Sequence, residues 1–87
     1  MMEQVKANIV HLRHDGKCIY ATDSQVAIII GMRNDPDKRS NFVKVGAITF
    51  SPADVAYIET ATRPSYDFPK YFLNRYNKET SELIKIN

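Results

Sequence analysis

The chain opens on a stretch in which apolar and polar positions interleave. Gln4 to His14 places Val5, Ile9, Val10 and Leu12 among polar residues, and its β-branched content predicts a strand. Asp15-Gly16 follows, the signal for a two-residue hairpin loop, because a type I′ turn needs positive φ at both positions. The return strand is Lys17 to Ala21. That loop pairs Leu12 with Ile19, His11 with Tyr20 and Val10 with Ala21. Val10, Leu12 and Ile19 then form the core face, while Ile9, His11, Cys18 and Tyr20 share the opposite one.

Thr22-Asp23-Ser24 is a run of helix N-cap residue types, and the longest apolar run of the chain, Val26 to Met32, follows it. Taken alone, the apolar run also fits a buried strand. The cap cluster and the polar stop Arg33-Asn34-Asp35-Pro36 favour a helix that ends near Asn34. On a helix, Val26, Ile29 and Ile30 form one stripe, with Ile28 and Met32 as a second on another side. A single small sheet covers one stripe, so Ile28 and Met32 predict self-association as a homodimer.

Asn34 to Ser40 reads as a loop, Asn41 to Val45 as a strand, Gly46-Ala47 as a tight turn and Ile48 to Phe50 as a further strand. Ser51-Pro52-Ala53-Asp54 has the form of a one-turn helix start. Val55 to Thr60 resumes as a strand, with Val55, Tyr57 and Glu59 on one face and Ala56 and Ile58 on the other. Ala61 to Pro69 reads as a loop. Phe68, Tyr71, Phe72 and Tyr76 then recur at helical spacing and predict a helix from about Pro69 to Lys78, which Leu83 and Ile84 extend to about Lys85. These elements predict one α+β domain over residues 1–87: a small antiparallel sheet made of a β-hairpin, a helix and three short strands, with a C-terminal helix. Short connections predict that sequence neighbours pair in space.

Composition narrows the function classes. In 87 residues, 44% hydrophobic and 25% charged, a second domain or a doubly wound nucleotide fold does not fit, and the balance is globular rather than disordered. The net charge of +2 permits nucleic-acid contact without arguing for it. One cysteine cannot form an intrachain disulfide. The first residues lack an apolar stretch of signal-peptide length, and the longest apolar run falls far short of the roughly 20 residues that span a bilayer. The expectation is a cytoplasmic protein that makes no membrane contact.

Motifs for chemistry are sparse. Three glycines at 16, 31 and 46 are too dispersed for a phosphate loop. His11 and His14 are three apart on a strand and point to opposite faces, so they hold no common metal. Asp35-Pro36-Asp37 runs into Lys38-Arg39, which repels a cation. His11, Cys18 and Tyr20 share a hairpin face, but nucleophilic or metal chemistry needs a third group and a pocket that the sequence does not specify. The expectation is a non-catalytic chain that calls for no cofactor and no metal.

The segment Phe42-Val43-Lys44-Val45-Gly46-Ala47-Ile48-Thr49-Phe50, continued by Ser51-Pro52-Ala53-Asp54-Val55-Ala56-Tyr57-Ile58-Glu59, resembles a pattern in small uncharacterised proteins of phages and mobile elements of Gram-positive bacteria. In those a capped helix precedes the segment, as here. The segment is more remotely similar to part of LytTR-type DNA-binding domains, a resemblance that implies a mostly β domain contacting DNA through loops. This chain departs from that pattern after Glu59, where a helix is predicted in place of further strands. The resemblance transfers no functional residue.

The most function-like patch is C-terminal. Arg63, Tyr66, Lys70, Tyr71, Arg75 and Tyr76 interleave cations with aromatics, the residue types enriched at protein interfaces and also able to stack on bases while holding phosphates. The expected function is a cytoplasmic protein-interaction or regulatory module, phage- or prophage-encoded, that uses these six residues on a protein partner. The alternative is a nucleic-acid-binding transcriptional regulator.

Overall fold

The computed structural model describes residues 3–86, and side chains as far as residue 82. The chain is α+β. Its elements are β1 (Gln4–Leu12), β2 (Cys18–Ala21), α1 (Asp23–Arg33), β3 (Val43–Val45), β4 (Ile48–Phe50), a 3-10 turn at Pro52–Asp54, β5 (Val55–Pro64), a second 3-10 turn at Ser65–Asp67, and α2 (Lys70–Ile86). Leu83 and Ile84 lie on α2, and their side chains fall outside the described residues.

Two antiparallel sheets form. The larger has the order β2-β1-β5, and β3 and β4 make a separate hairpin. The three strands expected to follow one another in a single set are therefore divided: β5 leaves its sequence neighbour and pairs with β1 along its whole length, from Gln4 opposite Pro64 to Leu12 opposite Val55. This pairing also converts part of the expected loop into strand. Ala61 to Pro64 looks like loop because it is polar and ends in proline, but an edge strand tolerates both.

The hairpin loop is longer than Asp15-Gly16 suggests. His11 pairs with Cys18 and Val10 with Ile19, leaving Arg13 to Lys17 as the loop. Within this loop only Gly16 has positive φ, at 62°, so the two-residue type I′ turn does not form and a longer loop closes on one left-handed glycine. The register shift is two residues, which preserves the facing of every side chain. Val10 and Ile19 still face one way, His11 and Cys18 the other.

On the first face, Val10, Ile19 and Ala21 pack with Ile29 of α1, Val45 and Phe50 of the small hairpin, and Val55. Val55 was expected beside Tyr57 and Glu59. A bulge between His11 and Leu12 in the pairing leaves Ala56 without a partner and turns Val55 to the core face. The second face, expected to be polar and aromatic, is buried along half its length. There Val5 and Ala7 pack with Phe68 and Phe72 of the C-terminal segment. The central strand is thus covered on both sides.

Helix α1 starts as its sequence predicts. Thr22 is the N-cap, and its side chain accepts from the Gln25 backbone N–H while the Gln25 side chain accepts from the Thr22 N–H, a complete capping box. Ile29 is buried, Val26 and Met32 are half-buried, and Ile28 and Ile30 are exposed. The expected stripes are therefore redistributed: of the first stripe Ile29 is buried and Ile30 exposed, and the second is split between a half-buried Met32 and an exposed Ile28. Ile29 packs against Val10, Ile19 and Ala21 of the sheet.

Helix α2 is held by polar contacts as well as aromatic packing. Glu79 accepts hydrogen bonds from Thr22 Oγ1 at 2.9 Å and Ser24 Oγ at 2.7 Å, and from Arg75 one turn earlier. Tyr71 straddles the edge of β2. Its hydroxyl accepts the outward Tyr20 N–H at 3.0 Å, and its ring lies against Gly46. Burial holds the Tyr71 hydroxyl above its ordinary pKa, so the phenol stays neutral as an acceptor.

Gly46 has φ of 62°, and a Cβ there would sit 2.8 Å from the Tyr71 ring. Gly16 has the same φ with open space around it. Gly46→Ala is expected to destabilise by about 2–4 kcal/mol, the left-handed strain plus overpacking, and Gly16→Ala by about 1 kcal/mol from strain alone. Urea unfolding of the two variants checks the ordering.

Burial raises the Glu79 pKa, and the hydrogen bonds from Ser24, Arg75 and Thr22 outweigh it, so the group titrates below its ordinary 4.5. A carboxylate whose folded pKa is depressed contributes stability that is present above the ordinary value and is lost as pH falls through the folded one. Stability is therefore expected to drop below about pH 4.5, and Glu79→Gln to flatten that dependence while costing about 1–2 kcal/mol at neutral pH. Thermal unfolding between neutral pH and pH 3 measures both.

Candidate functional site

The six cation and aromatic positions predicted for partner binding divide into two groups. Tyr71 is committed to Tyr20 and Gly46. Arg75 pairs with Glu79, and Tyr76 is half-buried with its ring 5.8 Å from that of Phe72. The two tyrosines hold the helix to its own fold, whereas Arg75 is exposed and its pair with Glu79 lies within α2. Arg63, Tyr66 and Lys70 are exposed. Tyr66 is 66% exposed, on the 3-10 turn that carries the chain from β5 into α2. Pro64 and Phe68 fix this turn from either side: the first ends the strand, and the second is buried against Val5 and Ala7. Arg63 is placed by its pairing with Val5, and Lys70 is the first residue of α2.

Of the self-association pair, Ile28 is 55% exposed and Met32 is half-buried. Ile28 lies beside a shallow cleft shared with Gln25, Val43, Lys44, Val45 and Arg75. A larger cavity of about 270 Å³ lies between the start of α1 and α2, lined by Lys6, Thr22, Asp23, Tyr76, Glu79 and Thr80. Its polar groups are engaged. Asp23 accepts from Asn8 at 2.8 Å and lies 3.6 Å from Lys6. The Asn8 hydrogen bond, aided by Lys6, holds the Asp23 carboxyl below its ordinary range.

The sheet assembles one side-chain chain that the sequence shows only in part. His11 and Cys18 are direct cross-strand partners, and Cys18 Sγ lies 3.2 Å from His11 Nδ1. On the other side of β1, Glu59 of β5 places Oε1 at 2.7 Å from His11 Nε2. A neutral ring protonated at Nε2 satisfies both contacts, with the thiol donating to Nδ1 and Nε2–H donating to the carboxylate. Tyr57 stacks on the imidazole, with centroids 4.2 Å apart. Sequence reasoning placed His11 and Cys18 on one face. It missed Glu59, because the pairing of β1 with β5 that delivers it spans 48 residues. The alternation of Tyr57 and Glu59 was the available signal.

Thiol, imidazole and carboxylate in series are the groups of a nucleophile, a base and an orienting partner. Substrate chemistry also needs a cavity, and the clefts described above are lined by other residues, as is a third near Leu12, His14 and Phe50. The arrangement ties three strands together across an open face. Among the described residues no group of three or more His, Cys, Asp and Glu side chains is placed to hold a metal, and no helix is long and apolar enough to cross a membrane. Comparison with protein-family models, with curated proteins and with solved structures gives no match.

His11→Ala removes two hydrogen bonds and a stacked ring, and is expected to cost about 1–2 kcal/mol. Cys18→Ala removes one weak donor and is expected to stay within about 0.5 kcal/mol. Chemical denaturation of both variants tests whether the chain of contacts is structural.

Proposed function

We propose that this chain is a non-catalytic cytoplasmic protein-interaction module, of the kind encoded by phages and other mobile elements, and that Arg63, Tyr66 and Lys70 contact its protein partner. The observation that carries this reading is the exposure of Tyr66 between two exposed cations. A large aromatic supplies contact area at low conformational cost, and Tyr and Arg are among the residues enriched where binding energy concentrates. The turn that holds Tyr66 is anchored by the buried Phe68, so little conformational freedom is lost on docking. The non-catalytic part of the reading is supported by His11, whose two ring nitrogens and one ring face are used within the sheet.

A nucleic-acid-binding regulator is the competing reading, favoured by the same cations beside a ring able to stack on a base. Salt separates the two, because each neutralised phosphate releases counterions and makes affinity fall steeply with ionic strength. The tagged chain is expected to capture a protein from host lysate with or without nuclease, and with weak salt dependence. Tyr66→Ala and Lys70→Ala are expected to weaken capture about tenfold each while the far-UV circular dichroism stays unchanged. Unchanged capture in both variants removes this surface from consideration. A steep salt slope together with loss of capture on nuclease treatment replaces the leading reading with the nucleic-acid one.

A further inference from the structure

We propose that the free edge of β5 is a self-association surface, to which a second copy of the chain adds its own β5 in antiparallel orientation. The two three-stranded sheets then become one sheet of six strands. Among the described residues β5 pairs with β1 alone, and it runs ten residues, Val55–Pro64. The phase of its backbone is fixed by one bond beyond the strand: Ser65 N–H donates to the Glu3 carbonyl at 3.0 Å. In an antiparallel ladder alternate residues turn to the same neighbour. Arg63, Ala61, Glu59 and Tyr57 therefore direct their backbone groups to β1. Ile58, Thr60 and Thr62 direct theirs outward. The opposite edge of the sheet obeys the same phase, since it sends the Tyr20 N–H outward to Tyr71. That edge is engaged; among the described residues nothing bonds to the β5 edge.

A second copy is the occupant because the strand is complementary to itself. With the twofold axis passing through Ala61, Glu59 faces Arg63 of the other copy, and Thr60 faces Thr62. Opposite charges and threonine pairs directly across from one another both stabilise a ladder. The outward groups then meet in register. Each Thr60–Thr62 pair exchanges two hydrogen bonds, and each Ile58–Pro64 pair makes one, since proline lacks the N–H, giving about six in all. Moving the axis to Glu59 sets two carboxylates face to face, and moving it to Thr60 leaves Glu59 opposite alanine. Glu59, Thr60, Thr62 and Arg63 are all exposed in the single chain, and no acidic side chain among the described residues lies within ion-pair distance of Arg63.

The proposal shares Arg63 with the partner reading but does not rest on it, because Tyr66 and Lys70 lie outside the strand: Tyr66→Ala is expected to leave self-association unchanged. Sedimentation equilibrium of the intact chain at concentrations up to about 200 μM is expected to show a dimer. Thr62→Pro deletes an outward N–H without removing a bond to β1, and is expected to weaken the dimer at least tenfold with circular dichroism unchanged. Glu59→Arg and Arg63→Glu are each expected to weaken it about tenfold by opposing like charges. An equimolar mixture of those two variants restores every opposite-charge pair and is expected to associate as a heterodimer. Should Thr62→Pro fail to fold, the charge mixture decides. A strictly monomeric wild type, a dimer indifferent to Thr62→Pro, or a dimer abolished by Ile28→Lys with the β5 variants intact would overturn the proposal.

Discussion

The pairing of Gln4–Leu12 with Val55–Pro64 is the constraint on which everything else depends. It joins segments about fifty residues apart in sequence, so its loop-closure entropy is set against few local contacts. It is offset because β1 becomes the central strand and is buried on both faces. Val10 contributes to one apolar cluster, Val5 and Ala7 to the other. Burial on both faces also imposes a polar requirement at Asn8. Its amide donates to the Ala21 carbonyl and to Asp23, and its oxygen accepts from Thr60, so the side chain bridges β2, α1 and β5. A buried amide without those partners would cost more than its packing gains.

Tyr71 links the two layers. Its ring belongs to the periphery of both apolar clusters, and its hydroxyl closes the β2 edge. The glycine at position 46 follows from this contact: the small hairpin can approach α2 only where no Cβ stands in the way. Together with the Glu79 carboxylate bound to Thr22 and Ser24, this sets the position of α2 against α1. Residues read from sequence as a basic and aromatic recognition patch are thus divided by packing into anchors and a small exposed remainder.

Features governed by neighbours in the chain were legible in the sequence. The cluster Thr22-Asp23-Ser24 marks the start of α1, and the structure selects Thr22 from it as the cap, with Gln25 completing the box. The facing of His11 and Cys18 survived a mistaken loop length because alternation has period two and the register error was also two. Features governed by distant pairing were not legible. The bulge at Ala56, the strand character of Ala61 to Pro64 and the arrival of Glu59 at His11 all follow from β5 pairing with β1 instead of with its sequence neighbour β4. Alanine, arginine and proline around the single Thr62 give Ala61 to Pro64 little strand signal of its own; they are acceptable in β5 because it lies at the sheet edge, where one side of the ladder needs no partner.

The two edges of the larger sheet are treated differently, and the difference limits what the fold can assemble into. Exposed edges invite indefinite pairing, and natural sheets blunt them with charges, prolines and bulges. The β2 edge is closed by Tyr71 and by the adjacent small hairpin. On β5 the bulge at Ala56 bounds the ladder at one end, and Pro64, which lacks an N–H, bounds it at the other. Only the stretch from Ile58 to Thr62 keeps a full set of outward donors and acceptors, and Glu59 and Arg63 penalise registers that set like charges together. A twofold pairing of two such edges consumes both, since the interface is isologous. The remaining outer edges of the combined sheet are the two β2 strands, each already bonded to Tyr71. The same devices that keep β5 from templating a fibre therefore leave it one finite mode of self-pairing.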